Sequence, residues 1–407
     1  MKHEKTLKKC PTIFIDATAS LSGGGVYINN LIGSLLSSNI KYKFVIYHIG
    51  NPAYVSRVPS GSIFDLKQVY YPSYIFDHWV LGSVYKLLWR TFILPVYLFL
   101  HKPDIFFSNS GYVPPLMPGK TKAIAALHNP IQFQPDLKEV EKSILRKWRI
   151  ELLHRIAIRL VKKNVQFIIF NEKLKRQAIA LGASPDQCTV IYHGIEWGEK
   201  ERKQQTDWSL LQKLGVDVPY LLYVSQLHRY KNVIALLEAF SGIKKDCPSM
   251  HLVIVGAIAD HGYGMEIEAA IRKYDLQDSV RVIPGVEREQ LKSMYRESLA
   301  VVYPSKAEVC PFGLLEAMAM GKPIAASSIA AITEICADAA LYFDPGSPED
   351  MKSIIQLIID QPSLRVNLSS RAIQRAMFFS WEKATSQTIS VFEKALTKNF
   401  FYKNYIL

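Results

Sequence analysis

The stretch from Pro304 to Ser327, PSKAEVCPFGLLEAMAMGKPIAAS, carries the strongest structural signal in this sequence of 407 residues. It continues a short apolar run, LAVVYP from Leu299, that is typical of a buried strand. Pro311 suits the first position of a helix, and the Gly-Lys-Pro sequence from Gly321 suits its end. The pattern predicts a strand, a loop, a helix and a second strand, which is the repeating unit of a parallel α/β sheet.

Two carboxylates lie in this stretch, with seven residues between Glu308 and Glu316. The prediction places Glu308 on the loop and Glu316 near the second turn of the helix. Cys310 is not a usual N-cap residue, so we expect no side chain to cap the first-turn N–H groups of the helix. These groups can then bind a ligand anion. Such a site suits a polyhydroxyl ligand that carries phosphate. The alternative is that both are charges on the protein surface. Against it, Glu316 lies among apolar residues, where burial of an unpaired charge is costly.

The alternation of strand and helix continues in both directions from this stretch. Strand-like runs in the second half are followed by helical patterns such as VIALLEAF, MEIEAAIRKY, EREQLKSMY and AAITEI. The predicted strands start near Thr12, Lys43, Asp104, Ala123 and Gln166, and then near Tyr220, His251, Val280, Leu299, Pro323 and Ala340. Continuous apolar strands indicate parallel sheets covered on both faces. We therefore expect two doubly wound domains, with ligands beyond the carboxyl ends of their strands, in one cleft.

Composition excludes several classes of protein. Hydrophobic residues make up 49% of the chain and charged residues 21%, which is typical of a globular protein and not of a disordered one. The five cysteines form no CxxC pair, so neither a disulfide scaffold nor a structural zinc site is supported, and a reducing, cytoplasmic location is expected. The apolar run TFILPVYLFL, Thr91 to Leu100, is too short to span a bilayer. The apolar part near the N-terminus is too short for a signal peptide.

The excess of positive charge lies entirely in the first half. Residues 1–200 contain 26 Lys and Arg against 13 Asp and Glu, whereas residues 201–407 contain 23 of each. This asymmetry favours an anionic partner, either phospholipid, nucleic acid or a phosphate-bearing substrate, over ordinary basicity. No nucleic-acid-binding module is recognisable, so nucleic acid is not expected.

Two segments of the basic half favour a membrane surface. One is the aromatic stretch YYPSYIFDHWVLGSVYKLLWRTFILPVYLFL, and the other is the amphipathic, basic stretch KEVEKSILRKWRIELLHRIAIRLVKK. Segments that are both basic and aromatic lie at membrane interfaces. The alternative is that the apolar face packs on the sheet and the cations are solvated.

A glycine loop follows the first predicted strand. Gly23, Gly24 and Gly25 precede a helix predicted from about Val26, and such a loop lets backbone N–H groups approach an anion. The spacing fails the dinucleotide fingerprint, because Ile28 stands at its third glycine, and no P-loop Lys-Ser/Thr pair follows. The sequence therefore does not support a nicotinamide-dependent enzyme or a Walker ATPase. The alternative to an anion-binding role for the three glycines is a simple tight turn.

Three further candidates lie at predicted strand ends. His128 follows the strand AIAAL, and Arg229 and Lys231 follow the strand YLLYVS. Two cations placed two residues apart in such a loop can hold a diphosphate. The alternatives are a structural histidine and a solvated pair of charges.

These motifs resemble the family 4 (group 1) retaining glycosyltransferases, which have the GT-B fold of two Rossmann-like domains. The resemblance covers most of the chain and is dense from Tyr220 to Asp350. It rests on YVSQLHRYKN, LVIVG, the two-glutamate segment and DAALYFDPGSPEDM, and more weakly on GGGVYINNL and VIYHGIE. It implies a sugar transfer from a nucleotide-diphosphate sugar, used as a substrate with no resident cofactor, to a glycan or lipid-linked acceptor.

The resemblance also implies a role for each candidate residue. Glu308 contacts the donor sugar, Glu316 holds the ribose hydroxyls, and Arg229 and Lys231 neutralise the diphosphate. The N–H groups for sugar and phosphate belong to Phe312, Gly313 and Leu314. His128 reaches the donor sugar from the first domain, and Gly24 and Gly25 line the cleft.

The sequence departs from the family pattern at two places. Gln226 stands where many members have Arg, so the phosphate charge falls to Arg229 and Lys231, and Thr333 precedes Glu334 where relatives often have Pro. The Asp-x-Asp motif of metal-dependent transferases is missing from the sequence, which favours a mechanism with no metal site.

We predict an acceptor-side domain at 1–195, a linker at 196–218, a nucleotide-sugar domain at 219–380 and a helical segment at 381–407 that packs back on the first domain. The expected enzyme takes part in cell-surface glycan synthesis, at the cytoplasmic face of the membrane. Two alternatives stay open, a sugar-nucleotide epimerase of the same fold and a non-enzymatic anion-binding protein.

Overall fold

The computed structural model describes residues 10–18, 23–38, 40–59, 61–70, 79–128, 144, 147, 148, 152, 155, 159, 165–216 and 219–397. Most of these residues fall into two compact units. The first unit combines residues 10–128, 165–192 and 381–397, and the second spans residues 193–380. No helix within the described ranges is long and apolar enough to cross a membrane.

The first unit contains a parallel sheet of seven strands in the order β3-β2-β1-β4-β5-β6-β7. The central strand β1 pairs on one side with β2 and on the other with β4, so that Ile13 lies between Phe44 and Ile105. The strands are β1 (Thr12–Ala17), β2 (Lys43–His48), β3 (Phe64–Gln68), β4 (Ile105–Ser108), β5 (Lys122–Ala126), β6 (Gln166–Ile169) and β7 (Cys188–Val190).

The second unit contains a parallel sheet of six strands in the order β10-β9-β8-β11-β12-β13. Its central strands are almost fully buried, because helices cover both faces of a doubly wound sheet. The strands are β8 (Tyr220–Val224), β9 (His251–Val255), β10 (Val280–Ile283), β11 (Ala300–Tyr303), β12 (Ile324–Ser327) and β13 (Leu341–Phe343).

Helices connect the strands of both sheets. The helices of the described residues are α1 (Gly23–Leu36), α2 (Trp79–Leu88), α3 (Leu94–His101), α4 (Glu172–Ala180), α5 (Glu199–Lys203), α6 (Ser209–Lys213), α7 (Val233–Asp246), α8 (His261–Lys273), α9 (Arg288–Glu297), α10 (Phe312–Ala319), α11 (Ala330–Cys336), α12 (Pro348–Asp360), α13 (Pro362–Ala376) and α14 (Trp381–Thr397). A π-helical turn, Trp89–Ile93, joins α2 to α3.

The expected fold class is confirmed, since both units are α/β with doubly wound parallel sheets. All predicted strands are present, but β3 and β7 were not predicted. Both are edge strands, and their alternately polar sequences FDLKQ and CTV leave side chains partly exposed. An edge strand needs no continuous apolar run, and that run is the signal on which the prediction depended.

Two predicted element boundaries are wrong by a few residues. Helix α1 begins at Gly23, so the three glycines form its first turn and not a loop before Val26. Here the Asn109 side-chain amide donates to the Gly24 carbonyl at 2.8 Å, a contact from a distant strand that local sequence does not show. Pro311 is the residue before α10 and not its first residue.

The C-terminal helix α14 belongs to the first unit. The Phe392 ring meets the Phe107 ring of β4 edge-on at 5.7 Å, and the Trp381 ring lies 5.8 Å from the ring of Tyr27 on α1. Phe392 is fully buried, and burial of such a side chain stabilises the folded state by about 1.5–3 kcal/mol. Helix α14 therefore completes the core around the first sheet.

Candidate active site

The order of strands in the second sheet places two loops side by side. The chain passes from β8 to β9 on one side and from β11 to β12 on the other, so the order of strands reverses between β8 and β11. Ligands of open α/β sheets bind at such a reversal, beyond the carboxyl ends of the strands. The loops that follow these two strands hold Arg229 and Lys231 on one side and Glu308 on the other.

Backbone and amide contacts hold the two loops together. The N–H of Lys306 donates to the Tyr230 carbonyl at 2.8 Å. Asn232, with φ of 62°, donates its side-chain amide to the carbonyls of Pro304 at 3.2 Å and Pro345 at 2.8 Å. Asparagine tolerates this left-handed conformation better than most residues, which explains its place beside Lys231.

Lys231 and Glu308 form the central ion pair of the site. The Lys231 ammonium donates to Glu308 Oε1 at 2.5 Å, and both side chains are more than nine-tenths buried. The ammonium also lies 5.3 Å from the Tyr230 ring centre and 5.8 Å from that of Tyr303. A buried pair of this kind is costly to break by removal of one partner, because an uncompensated charge remains. Two predicted site residues are thus brought into direct contact.

Arg229 points to a different set of carboxylates. Its guanidinium donates to Glu266 at 2.6 Å and lies 3.8 Å from Asp260, both from the region of α8. The guanidinium carbon also lies 5.2 Å from the Tyr263 ring centre. The two cations predicted to act together are therefore held by separate anionic partners.

The start of α10 approaches β8 closely. A Cβ added to Gly313 would lie 2.6 Å from the Val224 carbonyl oxygen and 3.2 Å from the Tyr303 ring, so only glycine fits. Pro311 precedes the helix and makes no side-chain capping bond. A helix start of this kind can present first-turn N–H groups to an anion, which is the role predicted for Phe312, Gly313 and Leu314. The Leu314 N–H, however, donates to the Pro311 carbonyl at 3.1 Å.

Glu316 lies on the second turn of α10 with a tyrosine as its partner. The Tyr295 hydroxyl lies 3.0 Å from Glu316 Oε2 and 3.1 Å from the Gly313 carbonyl, and it can donate to either oxygen. Burial raises the pKa of Glu316 to about 7, while the hydroxyl of Tyr295 and the charge of Arg288 act in the opposite direction. The Tyr295 partner explains why an acidic residue is tolerated in an apolar helix.

His193 is a residue of this region that the sequence did not single out as functional. Its ring stacks on the Phe312 ring at 4.4 Å with 12° between the planes. Burial lowers the pKa of His193 to about 3, so the imidazole is neutral at physiological pH. The resemblance of VIYHGIE to a family motif was the available signal, but it does not show that this histidine packs against the start of α10.

The first unit brings together His128, Asn109 and Gly24. The His128 ring nitrogen Nε2 lies 2.9 Å from Asn109 Oδ1, and a Cβ on Gly24 would lie 3.5 Å from the His128 ring. The same imidazole stacks on Phe170 at 4.5 Å. Gly25 is buried in the first turn of α1 beside this cluster. These contacts place the predicted first-domain residues at the carboxyl ends of β1, β4 and β5.

A second polar cluster in the first unit was missed by the sequence analysis. Arg90 Nε donates to the buried carboxylate of Asp16 at 3.0 Å, and Arg90 Nη2 donates to the Thr18 hydroxyl at 2.8 Å. Thr18 also donates its backbone N–H to Asp16 at 3.1 Å. The order of strands reverses between β1 and β4, and Asp16 lies at that point. An acidic residue that closes an apolar strand was the available signal.

No group of three or more His, Cys, Asp or Glu side chains suited to a metal ion occurs in the part of the chain that the structure describes.

The second unit matches a known protein family. Residues 207–375 match the family model of glycosyl transferases group 1. Among curated proteins, the O-antigen chain mannosyltransferase B of Escherichia coli is 28% identical over 178 residues, which are 43% of this chain and 45% of that protein. The chain spans about half the length of the first curated relatives that it matches.

Solved structures with a similar fold cover nearly the whole chain. The sucrose-phosphate synthase of Thermosynechococcus elongatus aligns with a TM-score of 0.70 at 18% identity, over 94% of this chain and 98% of that one. HepE of Anabaena, solved in complex with UDP-glucose, aligns with a TM-score of 0.69 at 16% identity, over 94% and 99%. At these identities the similarity shows the fold alone, which is GT-B.

Proposed function

We propose that this protein transfers a sugar from a nucleotide-diphosphate sugar to an acceptor hydroxyl, because residues 207–375 match the family model of glycosyl transferases group 1. The observation that carries the proposal is the buried Lys231–Glu308 ion pair, which lies where the order of strands reverses. One cation for phosphate and one carboxylate for hydroxyls are the groups that such a donor requires.

The donor is assigned to the second unit, residue by residue. Glu316 accepts hydrogen bonds from the ribose hydroxyls, and Glu308 accepts them from the sugar. When the donor binds, the Lys231 side chain turns from Glu308 to the diphosphate, so that its ammonium group pairs with the phosphate oxygens. Arg229 supports the loop through Glu266 and contributes less to the phosphates than its position in the sequence suggested.

Catalysis in this proposal is mainly electrostatic. As the bond between sugar and diphosphate breaks, negative charge develops on the leaving group, and Lys231 and the start of α10 stabilise it. The configuration of the sugar is retained, as the resemblance implies. A metal ion is not needed, because the cation and the helix N-terminus supply the same stabilisation.

We assign the acceptor to the first unit, at the carboxyl ends of β1 and β4. Asp16 and Arg90 supply the polar groups there. We propose a lipid-linked or polysaccharide acceptor in cell-surface glycan synthesis, such as a lipopolysaccharide O-antigen. Two observations support this assignment, the E. coli relative that acts on O-antigen and the basic first half of the chain.

The test is donor-dependent release of nucleoside diphosphate, measured with and without a glycolipid acceptor over a panel of UDP- and GDP-sugars. Acceptor-dependent release, with an α-linked product from an α-linked donor by NMR, supports the proposal. An epimerised sugar nucleotide formed without acceptor, or binding with no turnover, contradicts it.

The matched control is a second lysine of the same unit. Lys231→Ala is expected to lose release, whereas Lys245→Ala, on the exposed side of α7, is expected to retain it. Equal activity of the two variants contradicts the assignment of Lys231.

A further inference from the structure

Trp197 is a buried aromatic side chain in an otherwise polar segment of the second unit. It is the only large apolar residue in the sequence EWGEKERKQQT, which runs from Glu196 to Thr206. Its exposed fraction is 6%, and its indole N–H is buried with no hydrogen-bond partner among the described residues. The contacts of the Trp197 ring, and not a hydrogen bond, therefore hold this side chain in place.

The Trp197 ring packs against one face of α9. It meets the ring of Tyr295 edge-on at 5.7 Å, with 74° between the planes. The guanidinium carbon of Arg288 and the ammonium of Lys292 each lie 5.9 Å from the centre of the Trp197 ring. The three residues of α9 are separated by four and three positions, which is the spacing of neighbours on one helix face. Tyr295 is fully buried, so the Trp197 ring limits the positions that the Tyr295 ring can take.

Two of these contacts act on Glu316. The Tyr295 hydroxyl has one proton and two acceptors within reach, Glu316 Oε2 at 3.0 Å and the Gly313 carbonyl at 3.1 Å. The position of the Tyr295 ring therefore decides which oxygen receives the proton. Both this hydroxyl and the charge of Arg288 lower the pKa of Glu316, against the larger effect of burial. Within the described part of the chain, these are the titratable groups that act on Glu316, and Trp197 packs against both.

We propose that Trp197 is a positioning residue of the nucleotide site. It holds Tyr295 and Arg288 where both stabilise the carboxylate of Glu316. Glu196, the residue before Trp197, assists by its ion pair with Arg288 at 2.9 Å. The consequence for nucleotide binding rests on the proposed function, in which Glu316 binds the ribose. The effect of Trp197 on the Glu316 carboxylate does not.

The first experiment measures the ionisation of Glu316 without any nucleotide. The full-length protein, labelled with ¹³C at the glutamate carboxyl groups, is titrated by NMR between pH 5.5 and 9.5, and Glu316→Gln identifies the signal. In Trp197→Leu we expect the acid dissociation constant of Glu316 to fall about tenfold, which is one pKa unit above the value of about 7. Trp197→Phe keeps a ring and loses only an N–H with no partner, so it should titrate close to the wild type.

The second experiment measures the dissociation constants of UDP and GDP by calorimetry over the same pH range. At pH 7 the constant should rise about fivefold in Trp197→Leu, because about a tenth of Glu316 is ionised where half was before. Variant and wild type should converge above pH 9, whereas lost packing alone weakens binding equally at every pH. The matched control is Trp208→Leu, which changes a tryptophan that is 38% exposed and precedes α6, and we expect it to titrate and bind like the wild type.

Three outcomes overturn the positioning role. Glu316 titrates in Trp197→Leu as in the wild type, Trp208→Leu shifts the titration equally, or the change in nucleotide binding is the same at every pH. Circular dichroism and the melting temperature verify folding, and Trp197→Met, which keeps most of the buried volume without a ring, replaces Trp197→Leu if that variant does not fold. A shifted titration in a protein that binds neither UDP nor GDP contradicts the proposed function and supports the positioning role.

Discussion

Tyr295→Phe tests whether the buried hydroxyl controls the ionisation of Glu316. The hydroxyl lies 3.0 Å from the carboxylate, and the pKa of Glu316 is already raised to about 7 by burial. Removal of a donor that stabilises the ionised form raises this pKa further. A hydrogen bond to a charged group contributes about 1.5–3 kcal/mol, and 1.36 kcal/mol corresponds to one pKa unit, so we expect an increase of about one unit or more.

The effect on nucleotide binding follows from the ionised fraction. With a pKa of about 7, half of the Glu316 side chains are ionised at pH 7, and a further increase of about one unit leaves about a tenth. If the carboxylate binds the ribose, the dissociation constant for UDP or GDP at pH 7 rises about fivefold. The constants of variant and wild type should converge above pH 9, where both are ionised.

The assay is isothermal titration calorimetry with UDP and with GDP between pH 5.5 and 9. The nucleotide's own phosphate titrates in this range, so the ratio of variant to wild type at each pH is the quantity to compare. Tyr220→Phe is the matched control, because its buried hydroxyl donates to the Met294 carbonyl at 2.7 Å and not to Glu316. A ratio that does not change with pH, or the same change in Tyr220→Phe, refutes the reasoning.

Four further results are expected. Lys231→Ala should lower kcat/KM, measured by steady-state kinetics, by an amount equivalent to a loss of about 2–4 kcal/mol of transition-state stabilisation. A kcat/KM near the wild-type value contradicts the role of Lys231 at the phosphates. Gly313→Ala should weaken nucleotide binding and lower the melting temperature, because the new Cβ lies 2.6 Å from the Val224 carbonyl; unchanged values for both would show that the helix moves freely. Transfer should survive EDTA, since the sequence has no Asp-x-Asp motif, and a strict requirement for added Mn²⁺ or Mg²⁺ argues against the proposed leaving-group chemistry. Glu316 binds a proton more tightly in the folded state than in the unfolded one, so its contribution to stability is lost as pH rises from about 4.5 to about 7. The melting temperature of Glu316→Gln relative to wild type should therefore increase over that window, and a constant difference counts against the raised pKa.

The sequence correctly predicted every strand that lies in the interior of one of the two sheets. A central strand such as β11, AVVY, must be apolar on both faces, so its composition alone identifies it. The edge strands β3 and β7 escaped prediction because solvent on one side allows polar residues in them. The positions of Glu308 on a loop and Glu316 on the following helix also follow from local signals, chiefly Pro311 and Gly321.

The partners of the site residues were decided by tertiary structure. Lys231 and Glu308 are 77 residues apart in the chain and meet only because β8 and β11 are adjacent in the sheet. Arg229 is two residues from Lys231, yet α8 supplies it with different carboxylates. Sequence determined which residue types stand at the ends of the strands, because backbone periodicity and burial are local properties. Which charges meet depends on strand order, a property of the whole sheet that no local pattern contains.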